Sequence, residues 1–219
     1  DSVEFQLVRA RLRVRDGTPA EAVRHARAAL AEKRYADATA ARYELVLALA
    51  RARQFAPAEG ESKKLTAGSV ASPMLAALGG EVALAANQPE LAARRYRAGL
   101  AAYPEHRPLV LGLADAQLAA RQPQAALDLL EPRLALRPDD ARMWQTAARA
   151  YANLGRTLAS HRAQAEAYAV VGNYVAAIQQ VDLGLRDKGR DGDFREASVA
   201  EARRREWQEI DRALRKTQR

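Results

Sequence analysis

Cysteine is absent from the 219 residues, which excludes disulfide frameworks, thiol nucleophiles and cysteine-bound zinc or iron–sulfur centres together. Aromatic side chains are scarce, at 5% of the chain. Lysine is rarer still, with 5 Lys against 30 Arg among the 35 basic residues. That bias, beside 51 Ala, reads as GC-rich codon usage. The net charge of +8 therefore speaks to partners and solubility rather than to fold. No apolar run is long enough to span a membrane. Runs such as Leu45 to Ala50 and Leu109 to Ala114 fall far below the roughly 18 residues a spanning helix needs. No signal or transit peptide is seen, and the opening Asp1-Ser2-Val3 reads as a processed protein or a piece of a longer one.

What the chain does have is 48% apolar content, enough to bury a substantial core. The alanine excess points to helices packed closely through small side chains. Comparing the chain with itself shows how they are organised. Gln54, Gln88 and Gln122 lie 34 residues apart, as do Ala58, Ala92 and Ala126, while Pro89 and Pro123, and Pro104 and Pro138, share the spacing. A 34-residue period is that of the tetratricopeptide repeat, a helix–turn–helix unit. Units then start at Thr39, Pro73, Arg107 and Ala141. The eighth position of each carries Val46, Gly80, Ala114 and Ala148, and the twentieth Ala58, Ala92, Ala126 and Ser160. Small residues are needed there because two helix axes approach closely.

The unit from Ala141 begins well, with Trp144, Tyr151, Leu154 and Gly155 in place, and then departs from the frame. Gly172-Asn173-Tyr174 with Ala177-Ile178 repeats the inter-helix signature only 17 residues after Gly155. Leu158 to Val171 is thus read as one helix serving two pairs. The predicted fold is all-α, a tetratricopeptide-type helical-repeat solenoid of about twelve helices. An opening pair fills 1–38, with Thr18, Pro19 and Glu21 forming a capping box. Repeats fill 39–191, as 39–72, 73–106, 107–140, a half unit 141–157, and 158–191. A turn at Gly189 to Asp193 leads to a closing helix, Asp193 to about Lys216, within a cap of 192–219.

Catalytic constellations are few. His25, His106 and His161 stand alone, with His106 read as solvated in a turn and His161 as a packing or capping residue. No glycine-rich phosphate cradle occurs, and Asp139-Asp140 after Pro138 read as a turn and helix start. No cofactor and no metal is expected in this chain. Nucleic acid is not expected either, because the charge forms no one-sign stripe: Arg203-Arg204-Arg205 is flanked by Glu201, Glu206 and Glu209, which reads as a solvated, ion-paired face. The functional expectation rests instead on repeat geometry, since first helices line the binding surface of stacked repeats. Their outward groove positions are Tyr43, Leu47 and Arg51, then Glu81, then Leu111 and Asp115, then Arg142, Gln145, Arg149 and Asn153, and finally Arg162 and Glu166. An acidic, apolar peptide or loop would suit the Arg-rich later half.

Several stretches carry a more specific likeness: Phe5 to Leu12, Ala41 to Leu49, and above all Gly155 to Leu185, with His161, Ala165-Glu166-Ala167-Tyr168 and Gly172 to Ile178. Together with the ending, Asp193-Phe194 through Ala202-Arg203, the chain resembles the C-terminal tetratricopeptide region of bacterial periplasmic M48-family metalloproteases, the group that includes the β-barrel assembly-enhancing protease. The family's zinc-binding His-Glu-x-x-His is missing here. The resemblance therefore implies a non-catalytic half in the periplasm, with zinc only in a protease domain upstream. It implies as partners that protease domain and outer-membrane assembly or client proteins. The alternative is a free-standing scaffold or chaperone adaptor. The carboxylate-clamping adaptor groove needs Lys and Asn at fixed first-helix positions, and the frame has Tyr43, Ala77, Leu111 and Gln145 at the first of them.

Overall fold

The computed structural model describes residues 2–66, 71–187 and 194–217. Among them lie twelve α-helices and no strand: α1 Val3–Arg13, α2 Pro19–Ala31, α3 Ala38–Arg51, α4 Phe55–Thr66, α5 Pro73–Ala85, α6 Pro89–Ala102, α7 Arg107–Ala119, α8 Pro123–Leu136, α9 Ala141–Asn153, α10 Thr157–Val170, α11 Tyr174–Arg186 and α12 Phe194–Thr217. The fold is the all-α helical repeat that the period predicts. The turn at Gly189 to Asp193, and Asp193 as the first residue of the closing helix, lie outside the described residues.

Helix starts follow from side-chain chemistry. Ser2, Thr18, Asp37, Ser72, Asp140 and Asn173 each accept a hydrogen bond from a backbone N–H of the first turn they precede, satisfying donors that a helix leaves open. At Thr18 the bond is reciprocated: Glu21 accepts from the Thr18 backbone N–H at 2.8 Å, which holds the Glu21 carboxyl below its usual range. Gln88 and Gln122, whose spacing helped set the frame, occupy cap positions without a capping side-chain bond.

Helix ends repeat as faithfully. Arg53, Asn87, Arg121 and Gly155, again 34 residues apart, all hold positive φ, as does Gly172. Behind each, a Schellman bond closes the turn, from Gln54 N to Leu49 O, Gln88 N to Ala83 O, Gln122 N to Gln117 O, and Arg156 N to Tyr151 O. Two arginines thus hold a left-handed conformation that costs a side chain roughly 1–2 kcal/mol. Replacing Arg121 (φ 57) with Gly should raise stability by about 0.5–1 kcal/mol once glycine's extra unfolded-state freedom is deducted. Gly155→Ala should lower stability by about 1 kcal/mol, although nothing lies within 4 Å of its added methyl. Opposite signs in urea denaturation check the pair, and equal signs would refute the turn geometry.

The chain divides into two compact units, Asp1–Ala116 and Gln117–Arg219, and the boundary falls inside α7. Within the first unit α3 packs against α1, α2, α4 and α5, and α5 also packs against α4 and α6. Its core joins Leu7, Ala10, Val14, Val23, Tyr43, Val46, Leu49, Leu78 and Val82. In the second, α9 packs against α8 and α10, while α10 also packs against α11 and α12. Helix α10 is therefore shared by the pairs on either side of it. The small-residue positions are buried as their spacing requires, with Val46, Ala58, Ala92, Ala114 and Ala126 at 0% exposure. Ser160 stands where the frame has Ala, and its hydroxyl donates to the Ala148 carbonyl across the helix crossing at 2.9 Å.

Candidate functional site

In the first unit α1 packs against α3, and its Arg11 reaches Glu81 on α5. Tyr43, expected to look outward, is fully buried. Its oxygen accepts from Arg11 Nε at 3.0 Å and from Arg11 Nη2. The same guanidinium donates from Nη2 to both carboxylate oxygens of Glu81 at 2.8 and 2.9 Å. Burial, reinforced by the nearby Glu81 charge, pushes the Tyr43 hydroxyl up to about 12. Asp115 and Glu81 are half-buried, and after burial itself their charges raise the Tyr96 hydroxyl above its ordinary value. Leu47 and Leu111 are half-buried as well. Arg51 is exposed, but its guanidinium is committed. It donates to the Val14 carbonyl at 2.5 Å and to the Gly17 carbonyl at 2.9 Å, holding the end of α1 and the following turn. Tyr43, Arg51 and Glu81 thus bind elements of their own unit.

In the second unit the expected positions separate into two groups. Arg142, Gln145, Arg149 and Asn153 are all exposed and, at spacings of three and four residues, form one stripe along α9. Met143, Thr146, Ala147, Ala150 and Tyr151 are buried behind them. The stripe is anchored from below: the Tyr151 hydroxyl donates to Glu131 on α8 at 2.8 Å. Burial first, then this bond, pushes that hydroxyl up to about 12. Trp144 Nε1 donates to the Pro138 carbonyl at 2.8 Å.

Arg162 and Glu166 belong to a different surface. Glu166, expected to face outward, is buried at 6% exposure. It accepts a two-pronged bond from Arg203 of α12, Nε at 2.7 Å and Nη2 at 2.6 Å. Arg162 is largely buried too, bonded to Glu196 of α12 and set over the Trp144 ring at 5.9 Å. The arginine run 203–205 is accordingly more than a solvated face. Arg203 engages α10, Arg204 donates to Asp182 of α11 at 2.7 Å, and Arg205 alone stays outside with Glu201. Sequence reasoning missed Arg11, Glu196 and Arg203 as occupants. A signal existed, because Arg11 follows buried Leu7 by one helical turn and Glu166 sits among Ala163, Ala165, Ala167 and Ala169.

Among the histidines, His25 is exposed. His161 Nδ1 lies 2.9 Å from Gln180 Oε1 between α10 and α11, a packing position. His106, read as solvated, is half-buried with Nε2 shielded from solvent. Asp140 caps α9, accepting from Met143 N at 3.0 Å. Among the described residues no three His, Asp or Glu side chains group closely enough to hold a metal ion. None of the described helices is long and apolar enough to cross a membrane.

Residues 83–150 match the family model described as Tetratricopeptide repeat. No curated protein matches the chain. Among solved structures, MamA 41-end from Desulfovibrio magneticus RS-1 is similar at TM-score 0.57 and 17% identity, covering 81% of this chain and 97% of that one. A MamA RS-1 double mutant gives the same score and identity over 80% and 97%. MamA MSR-1 C2 gives 0.53 at 18% identity over 75% and 98%. At these identities the likeness is one of fold. Matched repeat and shared fold together describe a tetratricopeptide-type region, an architecture that implies a protein–protein interaction scaffold.

Proposed function

We propose that the chain is a non-catalytic protein-binding module whose working surface in the second unit is the α9 stripe of Arg142, Gln145, Arg149 and Asn153. The supporting observation is their shared exposure, when the neighbouring face of α10 is closed by α12. Two guanidinium and two amide groups in line offer donors to carboxylates and to the backbone carbonyls of an extended segment. An acidic client segment with apolar side chains fits that chemistry.

The finer setting rests on the residue resemblance of Gly155 to Leu185 and the flanking stretches. On that reading the module is part of a periplasmic M48-type metalloprotease, presents clients or outer-membrane assembly proteins to a protease domain, and leaves zinc to that domain. A free-standing scaffold fits the repeat equally well. Residues encoded upstream of Asp1 separate the two, since His-Glu-x-x-His there supports the first and its absence the second.

The binding surface is tested by Arg149→Glu. Thermal melting should stay nearly unchanged, because the residue is exposed. Capture of client proteins from an envelope extract should fall about tenfold, as loss of a central arginine contact does. Undiminished capture by Arg149→Glu together with Gln145→Ala would refute the α9 surface.

A further inference from the structure

Helix α1 is apolar on two opposite faces. Leu7, Ala10 and Val14 point into the core at 0%, 0% and 6% exposure. Phe5, Val8 and Leu12 form a second stripe at i, i+3 and i+7 and are 48%, 47% and 55% exposed. A surface helix ordinarily turns one apolar stripe inward and a polar face outward. A second stripe, on a helix already seated, marks a face that another molecule covers.

Charge around the stripe says what that molecule is. Arg9 borders it on one side, exposed Glu4 lies one turn before Val8, and Arg15 follows just past the end of α1; neither arginine has a carboxylate partner among the described residues. Arg9 stacks over the Phe5 ring at 5.7 Å. On the Arg9 side the stripe borders a cleft of about 390 Å³ between α1, α2 and α3, lined by Arg9, Arg13, His25, Arg34 and Tyr35 among others. The acids lining it are already engaged: Asp37 accepts from Ala40 N at 2.7 Å, and Glu44 pairs with Arg13 at 2.6 Å. Arg34 pairs with Glu32 at 2.6 Å on the exposed surface. Arg9 and His25 are left to face an incoming group.

We infer that this outer face of α1, with the cleft beside it, is a second protein-docking surface that takes an acidic amphipathic helix. The partner lays its apolar residues over Phe5, Val8 and Leu12 and sets carboxylates against Arg9 and Arg15, with a further one entering the cleft at His25. A second copy of this chain is disfavoured by the same charges, because pairing α1 with α1 would bring unpaired arginines together. A flat lipid surface would meet only three apolar side chains and leave the cleft empty. This surface shares no residue with the α9 stripe and does not depend on it.

The test uses the full chain and a fluorescein-labelled synthetic helix of about 18 residues, long enough to fold on contact, with Leu at every third or fourth position and Glu on both flanks. Fluorescence anisotropy should show saturable binding that weakens with salt. Phe5→Ser with Val8→Ser, or Arg9→Glu, should each weaken it about tenfold with unaltered melting, while Arg149→Glu leaves it unchanged. An analogue with Lys for Glu should not bind. No binding of the acidic helix, equal binding of the Lys analogue, or equal loss on Arg149→Glu would overturn the proposal. So would co-sedimentation with phosphatidylglycerol vesicles that Phe5→Ser abolishes, which would assign the face to lipid. Concentration-dependent dimerisation abolished by the same change would assign it to a second copy.

Discussion

Replacing Gly112 with alanine is expected to destabilise the first unit by about 1–3 kcal/mol, the cost of overpacking a filled core, even though alanine is the better helix former by about 1 kcal/mol. The reason is the Tyr96 ring of α6, only 3% exposed. A methyl on Gly112 of α7 would lie 2.4 Å from Tyr96 Cε1 and 2.5 Å from Cζ. The ring has little room to retreat, because a methyl on Gly80 of α5 would already lie 2.7 Å from Cζ of the same ring. Two glycines on two helices thus make room for one tyrosine. Gly60→Ala in α4 is the control: nothing lies within 4 Å of its added carbon, so that change should stabilise by about 0.5–1 kcal/mol. Urea denaturation of both variants reads the difference. In a Tyr96→Ala background the Gly112→Ala penalty should largely vanish, since a double-mutant cycle isolates a contact of this kind. If Gly112→Ala behaved like Gly60→Ala, the packing of α6 against α7 would be wrong.

That site shows where the sequence was readable. Gly80 stands at the eighth position of its unit, which the 34-residue frame marks as small. Gly112 stands at the sixth position of the next, where the other units have Glu44, Leu78 and Thr146. Tyr96 likewise replaces what is Ser62, Leu130 and Gln164 elsewhere. A repeat frame reports what units share, whereas a large residue matched to a missing side chain is an exception made jointly by two units. The turns were legible for the opposite reason, because their hydrogen bonds recur with the period and tolerate Arg, Asn or Gly at the left-handed position.

The candidate surface was legible only in part. Periodicity gives the face on which a residue lies, and by their spacing Arg142, Gln145, Arg149 and Asn153 fall on one face of α9, where all four are exposed. It does not say which other element covers a face. Tyr43 and Glu166 sit at positions equivalent to open ones, yet α1 closes over the first and α12 over the second. Both covering helices lie at the edges of the repeat frame, so the period carries no information about where they dock.

Trp207→Ala should then have the largest effect in the second unit, a loss of about 3–5 kcal/mol as for other buried tryptophans cut to alanine. Trp207 is 1% exposed and belongs to the core of Leu158, Ala165, Ala169, Ala177, Val181 and Ala200. Through it α12, whose surface reads as a charged cap, is held as a packed part of the unit. Arg203 lies 4.9 Å over its ring while bonded to Glu166, so removing the ring loosens the anchor and the ion pair together. The burial of Glu166 makes that coupling costly, since a carboxylate shielded from water and stripped of its partner is far less stable than one in solvent. Hydrogen exchange should show protection lost across α12 and the facing side of α10, with α9 retaining its own. Arg205→Ala, whose side chain is 71% exposed, should change stability by no more than about 0.5 kcal/mol. Matching behaviour of the two variants would return α12 to a solvated cap and reopen Arg162 and Glu166 as surface available to a partner.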